Sequence, residues 1–128
     1  MTPLEVKQAY RAARNLDRER QRLQDLEKRA KQTEELSNIY TYYREWQLPA
    51  DQEEVRRQAE RVRECQATID NVMNWAEQQP PKIRSIVTAR VLYGQSWGEI
   101  SAALFNSETM NTSYMCLKRA MEADLAQK

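Results

Sequence analysis

The amino-acid sequence predicts an all-α protein, in which a long antiparallel helical hairpin is followed by three short helices. The chain of 128 residues contains only two glycines and four prolines, too few for the tight turns and bulges that β-sheets require. Alanine, glutamine, glutamate, arginine and leucine, all good helix formers, dominate instead. Apolar residues also recur in steps of three, four and seven, the spacing of one face of a helix. Because the chain is about the size of one ordinary domain, we expect one compact protein with a subdivision.

Charge and hydropathy exclude a membrane protein and favour the cytoplasm. Hydrophobic residues make up 41% of the chain and charged residues 30%, and no apolar stretch approaches the roughly 20 residues that span a bilayer. The segment from Met1 to Tyr10 lacks the apolar region and cleavage site of a signal peptide. Two isolated cysteines, Cys65 and Cys116, fit a reducing compartment. The predicted location is therefore the cytoplasm, and both thiols are interpreted as buried apolar fillers.

The sequence offers little material for catalysis. It contains no histidine, the commonest general base and metal ligand. Acidic and basic residues alternate at helical spacing, as Glu53 and Arg57 do, which is typical of solvated helix faces. Gly94 and Gly98 are the only glycines, so no glycine-rich loop can hold a nucleotide phosphate. We therefore predict a protein without enzymatic activity, metal site or cofactor, which acts by binding other macromolecules.

The first predicted helix runs from Leu4 to about Tyr43 and carries a coiled-coil stripe. The stripe consists of Ala9, Ala13, Leu16, Leu23, Leu26, Ala30, Thr33 and Tyr40. Arg20 and Ser37 interrupt it. Pro49 is predicted to end the helix, because proline pushes the preceding residue out of the α region.

The second predicted helix begins at Asp51, which forms a capping-box pattern with Glu54. Its seam contains Val55, Val62, Ile69 and Ala76 at steps of seven, with Ala59, Gln66 and Met73 between them. Two facing stripes joined by one break predict an antiparallel hairpin. We assign residues 1–79 to this hairpin and expect it to form a homodimer.

Four aromatic residues lie near the predicted break, namely Tyr40, Tyr42, Tyr43 and Trp46. Four rings within seven residues cannot all face one neighbouring helix. They either cap the end of the hairpin core or form a patch that binds a partner. We favour the cap.

The remainder of the chain is predicted to form three short helices. Pro81 suits the first position of one helix, whose apolar face consists of Ile83, Ile86, Val87 and Val91. Gly94 suits the left-handed conformation that ends this helix. Ser96 and Glu99 form another capping box, which begins a helix with one apolar side, made of Trp97, Ile100 and Leu104. The last helix, from about Thr109, carries the stripe Met110, Tyr114, Leu117, Met121 and Leu125.

This pattern resembles the helix-turn-helix of sigma-factor region 4. The matching residues are Leu92, Tyr93, Gly94, Ser96, Trp97, Glu99, Ile100, Leu104, Arg119, Ala120 and Met121. Together with the preceding hairpin, residues 80–128 are similar to small phage and prophage regulators of late transcription. The sequence departs from that family in two ways. Phe105 stands where the family commonly has glycine, and the stretch from Leu104 to Arg119 is somewhat longer than the usual pattern.

The resemblance implies a transcriptional regulator that binds double-stranded DNA at promoters. In such proteins the last helix enters the major groove and reads bases from its N-terminal end. The implied base contacts are Asn111, Thr112 and Met115, and the implied phosphate contacts are Lys82, Arg84, Arg90, Lys118 and Arg119. Residues 81–128 contain six basic and four acidic residues, a net charge of +2, which is weak for a free-standing DNA-binding module. Dimerisation or help from host RNA polymerase would compensate.

The weak positive charge and the altered turn leave a second hypothesis open. A helix-turn-helix scaffold that no longer reads DNA would suit a phage-encoded inhibitor of a host protein, for instance a defence nuclease. A small terminase subunit, with a similar helix and coiled-coil layout, is a third alternative. A phage-encoded protein of any of these kinds would act in the cytoplasm of the host cell.

Overall fold

The chain is helical almost throughout residues 1–127, the part that its computed structural model describes. These residues form five α-helices and no β-strand: α1 (Pro3–Ser37), α2 (Leu48–Glu77), α3 (Pro81–Val91), α4 (Trp97–Phe105) and α5 (Asn111–Ala126). One π-helical turn, Tyr43–Gln47, leads directly into α2. The predicted all-α class is confirmed. None of the described helices has the length and apolar composition that a membrane crossing requires.

The helices belong to two compact units, and both α1 and α2 contribute to each of them. The first, which we call the apolar unit, combines Met1–Arg14 with Gln66–Lys128. The second, which we call the polar unit, consists of Asn15–Cys65. The two names refer to the side chains that each unit buries.

The apolar unit has a hydrophobic core to which all five helices contribute. Its buried apolar side chains are Val6, Ala9, Ile69, Val72, Trp75, Ala76, Ile83, Ile86, Val87, Val91, Ile100, Leu117 and Met121. Burying one large aliphatic side chain stabilises the fold by about 1.5–3 kcal/mol. The indole nitrogen of Trp75 donates a hydrogen bond to Asp124 at 3.1 Å, so the polar edge of this ring also has a partner.

The polar unit buries polar side chains instead, namely Thr33, Ser37, Asp51 and Gln58. Thr33 Oγ1 donates to Asp51 Oδ2 at 2.6 Å, and Gln47 Nε2 donates to Asp51 Oδ1 at 2.8 Å. Gln58 Nε2 donates to the backbone carbonyl of Glu19 at 3.0 Å. Within this unit the two helical segments run in opposite directions, because later residues of α1 pair with earlier residues of α2.

The predicted helix end at Pro49 and the predicted helix start at Asp51 are both wrong. α1 already ends at Ser37, and α2 follows the π-helical turn without interruption. The backbone N–H of Leu48 donates to the carbonyl of Tyr43, five residues earlier. This wider turn makes room for the proline ring, which in an α-helix would clash with the carbonyl four residues back. Asp51 therefore lies inside a continuous helix, where it binds side chains rather than capping free amides.

The prediction that the aromatic residues cap a core is also wrong. Tyr40, Tyr42 and Trp46 are 55%, 61% and 69% exposed. The half-buried ring of Tyr43 contacts Tyr40 and Tyr42, with centroids 6.1 and 5.5 Å apart. Because α1 ends before these residues, they lie beyond its last buried positions. Together with the exposed Ile39 they form what we call the aromatic patch (Ile39, Tyr40, Tyr42, Tyr43 and Trp46).

The local predictions for the three short helices are mostly confirmed. α3 begins at Pro81, and its whole predicted apolar face is buried. Gly94 adopts a φ of +65°, and Ser96 Oγ accepts a hydrogen bond from the Glu99 N–H at 3.1 Å. Three residues that were predicted in the core are exposed instead, because they lie at or beside helix ends, namely Leu104, Met110 and Leu125.

Candidate functional site

The turn between α3 and α4 is held by an arginine from α1. Arg14 Nη2 donates to the carbonyls of Val91 and Leu92 at 2.8 and 2.9 Å. These carbonyls lie at the end of α3, where the helix itself supplies no partners. Gly94 has a positive φ, which favours glycine, and a Cβ at this position would overlap Arg14 Nη1 and displace the guanidinium group. The start of α1 therefore stabilises the turn that leads into α4.

A pair of buried serines joins α4 to α5. Ser101 and Ser113 are both fully buried, and the Ser113 N–H donates to Ser101 Oγ at 3.0 Å. Ser101 Oγ donates to Ser113 Oγ at 2.8 Å, and Ser113 Oγ donates to the carbonyl of Trp97 at 2.9 Å. This pair was not predicted from the sequence. Ser113 lies four residues before Leu117, and this spacing, which is visible in the sequence, places the Ser113 hydroxyl on the buried stripe of α5.

The turn between α4 and α5 reverses at a non-glycine residue. Asn106 adopts the left-handed conformation, with φ 49° and ψ 38°. Asparagine tolerates this region better than most residues. This left-handed residue lies one position after Phe105. The N–H of Ser107 donates to the carbonyl of Ser101 at 3.2 Å and completes the turn.

The outward face of α5 carries three exposed side chains that were predicted to contact DNA. Asn111, Met115 and Arg119 follow one another at steps of four, which places them along one side of the helix. Lys118 lies beside Arg119 and is half-buried. The first turn of α5 contains no acidic residue. We call Asn111, Met115, Lys118 and Arg119 the α5 face.

Thr112, another predicted base contact, already has a partner within the protein. Its hydroxyl lies 3.0 Å from Ser107 Oγ, and Ser107 Oγ accepts a hydrogen bond from the Thr109 N–H at 3.2 Å. These bonds organise the chain just before α5. Thr112 therefore helps to set the start of the helix, and its hydroxyl is less available than the side chain of Asn111.

Two predicted phosphate contacts lie in the first turn of α3. The ammonium group of Lys82 lies 4.2 Å from the centroid of the Phe105 ring. Arg84 is exposed and makes a long hydrogen bond of 3.4 Å to the carbonyl of Gln79. Both cations remain accessible at the surface of the apolar unit.

Arg90 is drawn inward, unlike Lys82 and Arg84. Its guanidinium carbon lies 4.0 Å from the ring centroid of Tyr10 and 4.8 Å from that of Trp97. Its Nη1 donates to the carbonyl of Gln95 at 3.0 Å. The Trp97 ring in turn meets Tyr114 edge-on, at 5.3 Å and 71°. Arg90 therefore takes part in stacking that connects α1, α3, α4 and α5, and it is not part of the α5 face.

Comparison with known proteins gives no match: no family model, no curated protein and no solved structure is significantly similar to this chain. Within residues 1–127, no group of three acidic or cysteine side chains is arranged to hold a metal ion.

Proposed function

We propose that this protein is a phage-type transcriptional regulator and that α5 binds promoter DNA in the major groove. The observation that carries the proposal is the exposed α5 face, in which a polar, an apolar and a cationic side chain follow one another along one side of the helix. The buried Ser101–Ser113 pair holds the other side of α5 to α4. In this proposal α4, residues 106–110 and α5 form a helix-turn-helix, and α5 is its recognition helix.

The chemistry of the α5 face suits DNA. An asparagine amide can pair with the N6 and N7 positions of adenine, so we assign base reading to Asn111. Arg119 and Lys118 can neutralise phosphates, as can Lys82 and Arg84 in α3. The absence of acidic residues from the first turn of α5 also supports the approach of a phosphate, because helix N-termini carry partial positive charge.

The proposal includes assembly with other proteins. A net charge of +2 over residues 81–128 provides little non-specific affinity. We therefore propose that the helical hairpin, residues 1–79, forms a homodimer and that the regulator acts beside host RNA polymerase in the cytoplasm. A dimer would double the number of phosphate contacts on one DNA molecule.

The test is DNA binding by fluorescence anisotropy, with duplex DNA from directly upstream of the protein's own gene, repeated over a range of salt concentrations. Arg119→Ala should weaken binding to all sequences similarly and reduce the salt slope by about one unit, the contribution of one phosphate contact. Asn111→Ala should instead reduce the preference for the specific site, by about 1–3 kcal/mol. Arg18→Ala removes an exposed arginine of the polar unit and serves as the matched control, for which no change is expected.

Thermal unfolding of each variant separates lost contacts from lost structure. If Arg119→Ala and Asn111→Ala fold normally and bind DNA as the parent protein does, the α5 face is not the DNA-binding surface. If the parent protein shows no salt-sensitive DNA binding, the regulator hypothesis fails.

The second candidate function is inhibition of a host protein, and the aromatic patch is the observation in its favour. Exposed tyrosine and tryptophan side chains are typical of binding hot spots in protein interfaces. The double variant Tyr42→Ala, Trp46→Ala should leave DNA binding unchanged if the protein is a regulator that acts through α5. Loss of a host-directed inhibitory effect in this variant, together with no DNA binding by the parent protein, would favour the inhibitor.

A further inference from the structure

The apolar unit contains a cavity of about 350 Å³ between the start of α1 and the helices α3, α4 and α5. Its floor includes Val6 of α1 and Leu117 and Met121 of α5, each no more than 2% exposed. Trp97 and Tyr114 form an aromatic wall. This size lies at the lower end of the range for small-molecule sites, about 300–1,000 Å³, and apolar walls with few polar groups are usual there.

Every charged side chain that lines this cavity is a cation. Lys7 of α1 and Arg90 of α3 both reach it, and no aspartate or glutamate does. We call it the cationic cavity. Water screens part of the charge of the exposed Lys7 and the half-buried Arg90, but with no carboxylate in the lining the cavity still favours a negatively charged occupant.

Within residues 1–127, Arg90 has no acidic partner. It is half-buried, its guanidinium lies between the rings of Tyr10 and Trp97, and its hydrogen bond goes to the uncharged carbonyl of Gln95. No salt bridge joins it to a carboxylate within residues 1–127. Charged groups that are removed from water are usually paired. Arg90 thus has two aromatic contacts and one carbonyl hydrogen bond but no carboxylate partner, so its charge can attract an anionic ligand.

We infer that the cationic cavity binds a small apolar carboxylate, such as a medium-chain fatty acid. The hydrocarbon part would pack against Leu4 and the rings of Trp97 and Tyr114, above the buried floor, and the carboxylate would face Lys7 and Arg90. This site is separate from the α5 face, because none of the residues in that face lines the cavity. The inference therefore goes beyond the proposed regulator function and does not depend on DNA binding.

The test is titration of the full-length, ¹⁵N-labelled protein with sodium octanoate, followed by NMR. Octanoate should produce saturable shifts at the Trp97 indole and in the segments 4–7 and 117–121. Octanamide has nearly the same shape without the charge, and should bind about tenfold more weakly because it loses the attraction of both cations. Sodium acetate supplies the charge without the chain and should produce no comparable shifts.

Two variants connect binding to the cavity. Lys7→Gln removes one of the two cations that line the cavity. Because Lys7 is exposed, this change should weaken octanoate binding only about threefold, the effect expected from loss of a partly exposed ion pair. Lys28→Gln removes an exposed lysine of the polar unit and should leave binding unchanged. Thermal unfolding should show that both variants fold like the parent protein.

Three results would overturn the inference. The first is the absence of saturable shifts with octanoate. The second is equal binding of octanoate and octanamide, because the two cations would then play no part. The third is a set of shifts confined to the aromatic patch, which would place the fatty acid on an exposed surface outside the cavity.

Discussion

The apolar unit and the polar unit differ in the kind of side chain that each removes from water. All of the buried apolar side chains in the described part of the chain belong to the apolar unit. The polar unit buries only Thr33, Ser37, Asp51 and Gln58, and its leucines along α1 remain half-exposed. The two units therefore depend on different interactions, although α1 and α2 pass through both.

The difference has a physical consequence for specificity. Apolar burial is strong but has no direction, so it stabilises a fold without defining which residues must face each other. A buried hydrogen bond contributes less net free energy than apolar burial. It is lost, however, when one helix shifts along the other, because its donor and acceptor then no longer face each other. Thr33 with Asp51, and Gln58 with Glu19, thus define how α1 and α2 are aligned in the polar unit. We expect the apolar unit to supply the larger share of the stability, because it contains the buried apolar side chains.

The largest effect is expected from opening a cavity in the apolar unit. Ile86 is fully buried, so Ile86→Ala should lower the free energy of unfolding by about 3 kcal/mol. Leu23 is half-buried in the polar unit, and Leu23→Ala should cost about 1 kcal/mol, because less surface is removed from water there. Urea unfolding followed by far-UV circular dichroism measures both values. If both variants lost the same free energy of unfolding, the two units would not differ in the apolar surface that they remove from water.

A smaller effect is expected from removing the buried carboxylate of the polar unit. Asp51 is 1% exposed, accepts hydrogen bonds from Thr33 and Gln47, and lies 3.5 Å from Arg29 Nε. Asp51→Ala leaves the buried Thr33 hydroxyl without its partner, which should cost about 2 kcal/mol in urea unfolding.

The matched control for this experiment is Asp25→Ala. Asp25 accepts one exposed hydrogen bond, from Gln21 at 3.1 Å, and its removal should change the free energy of unfolding by less than about 0.5 kcal/mol. A negligible effect of Asp51→Ala would show that the buried hydrogen bonds do not hold the polar unit together.

The smallest effect concerns the reactivity of Cys65, at the end of the polar unit. Burial raises the pKa of the Cys65 thiol above its ordinary value, and the negative charges of Glu19 and Glu64 raise it further. The thiolate is the reactive form, so a higher pKa means less thiolate at a given alkaline pH and slower alkylation. In a Cys116→Ser background, the pH midpoint of iodoacetamide labelling should be higher for the folded chain than for the same chain in urea.

Glu64→Gln sharpens this experiment, because it removes one of the negative charges. The labelling midpoint of the folded variant should move part of the way back toward that of the unfolded chain. A folded-state midpoint at or below the unfolded one would contradict the described environment of Cys65.

Signals that depend on a few neighbouring residues were interpreted correctly. Pro81 begins α3, Gly94 takes the left-handed conformation, and Ser96 caps α4. Each of these depends on the backbone preference or side-chain reach of one or two residues, so the sequence contains the necessary information. The DNA contacts assigned to the α5 face stay a prediction, since their partner is another molecule.

The errors occurred where a local signal competed with longer-range packing. Pro49 is a helix breaker by itself, yet the π-helical turn before it lets the helix continue. Asp51 has the pattern of a cap, yet a continuous helix leaves no free amides for it to bind. The stacking of two aromatic rings from other helices on Arg90 was also not predicted, and its assignment as a phosphate contact stays a prediction.

The sequence by itself determined the helical class, the start of α3, the turn at Gly94 and the capped start of α4, because helix propensity, apolar period and capping act over a few residues. Only the tertiary structure decided which side chains of distant helices contact one another. The Ser101–Ser113 pair, the exposure of the aromatic patch and the stacking of Arg90 between Tyr10 and Trp97 all depend on such contacts. A single sequence records the spacing of residues along one helix, but not the register between two helices, which is selected by the packing and hydrogen bonding of the whole chain.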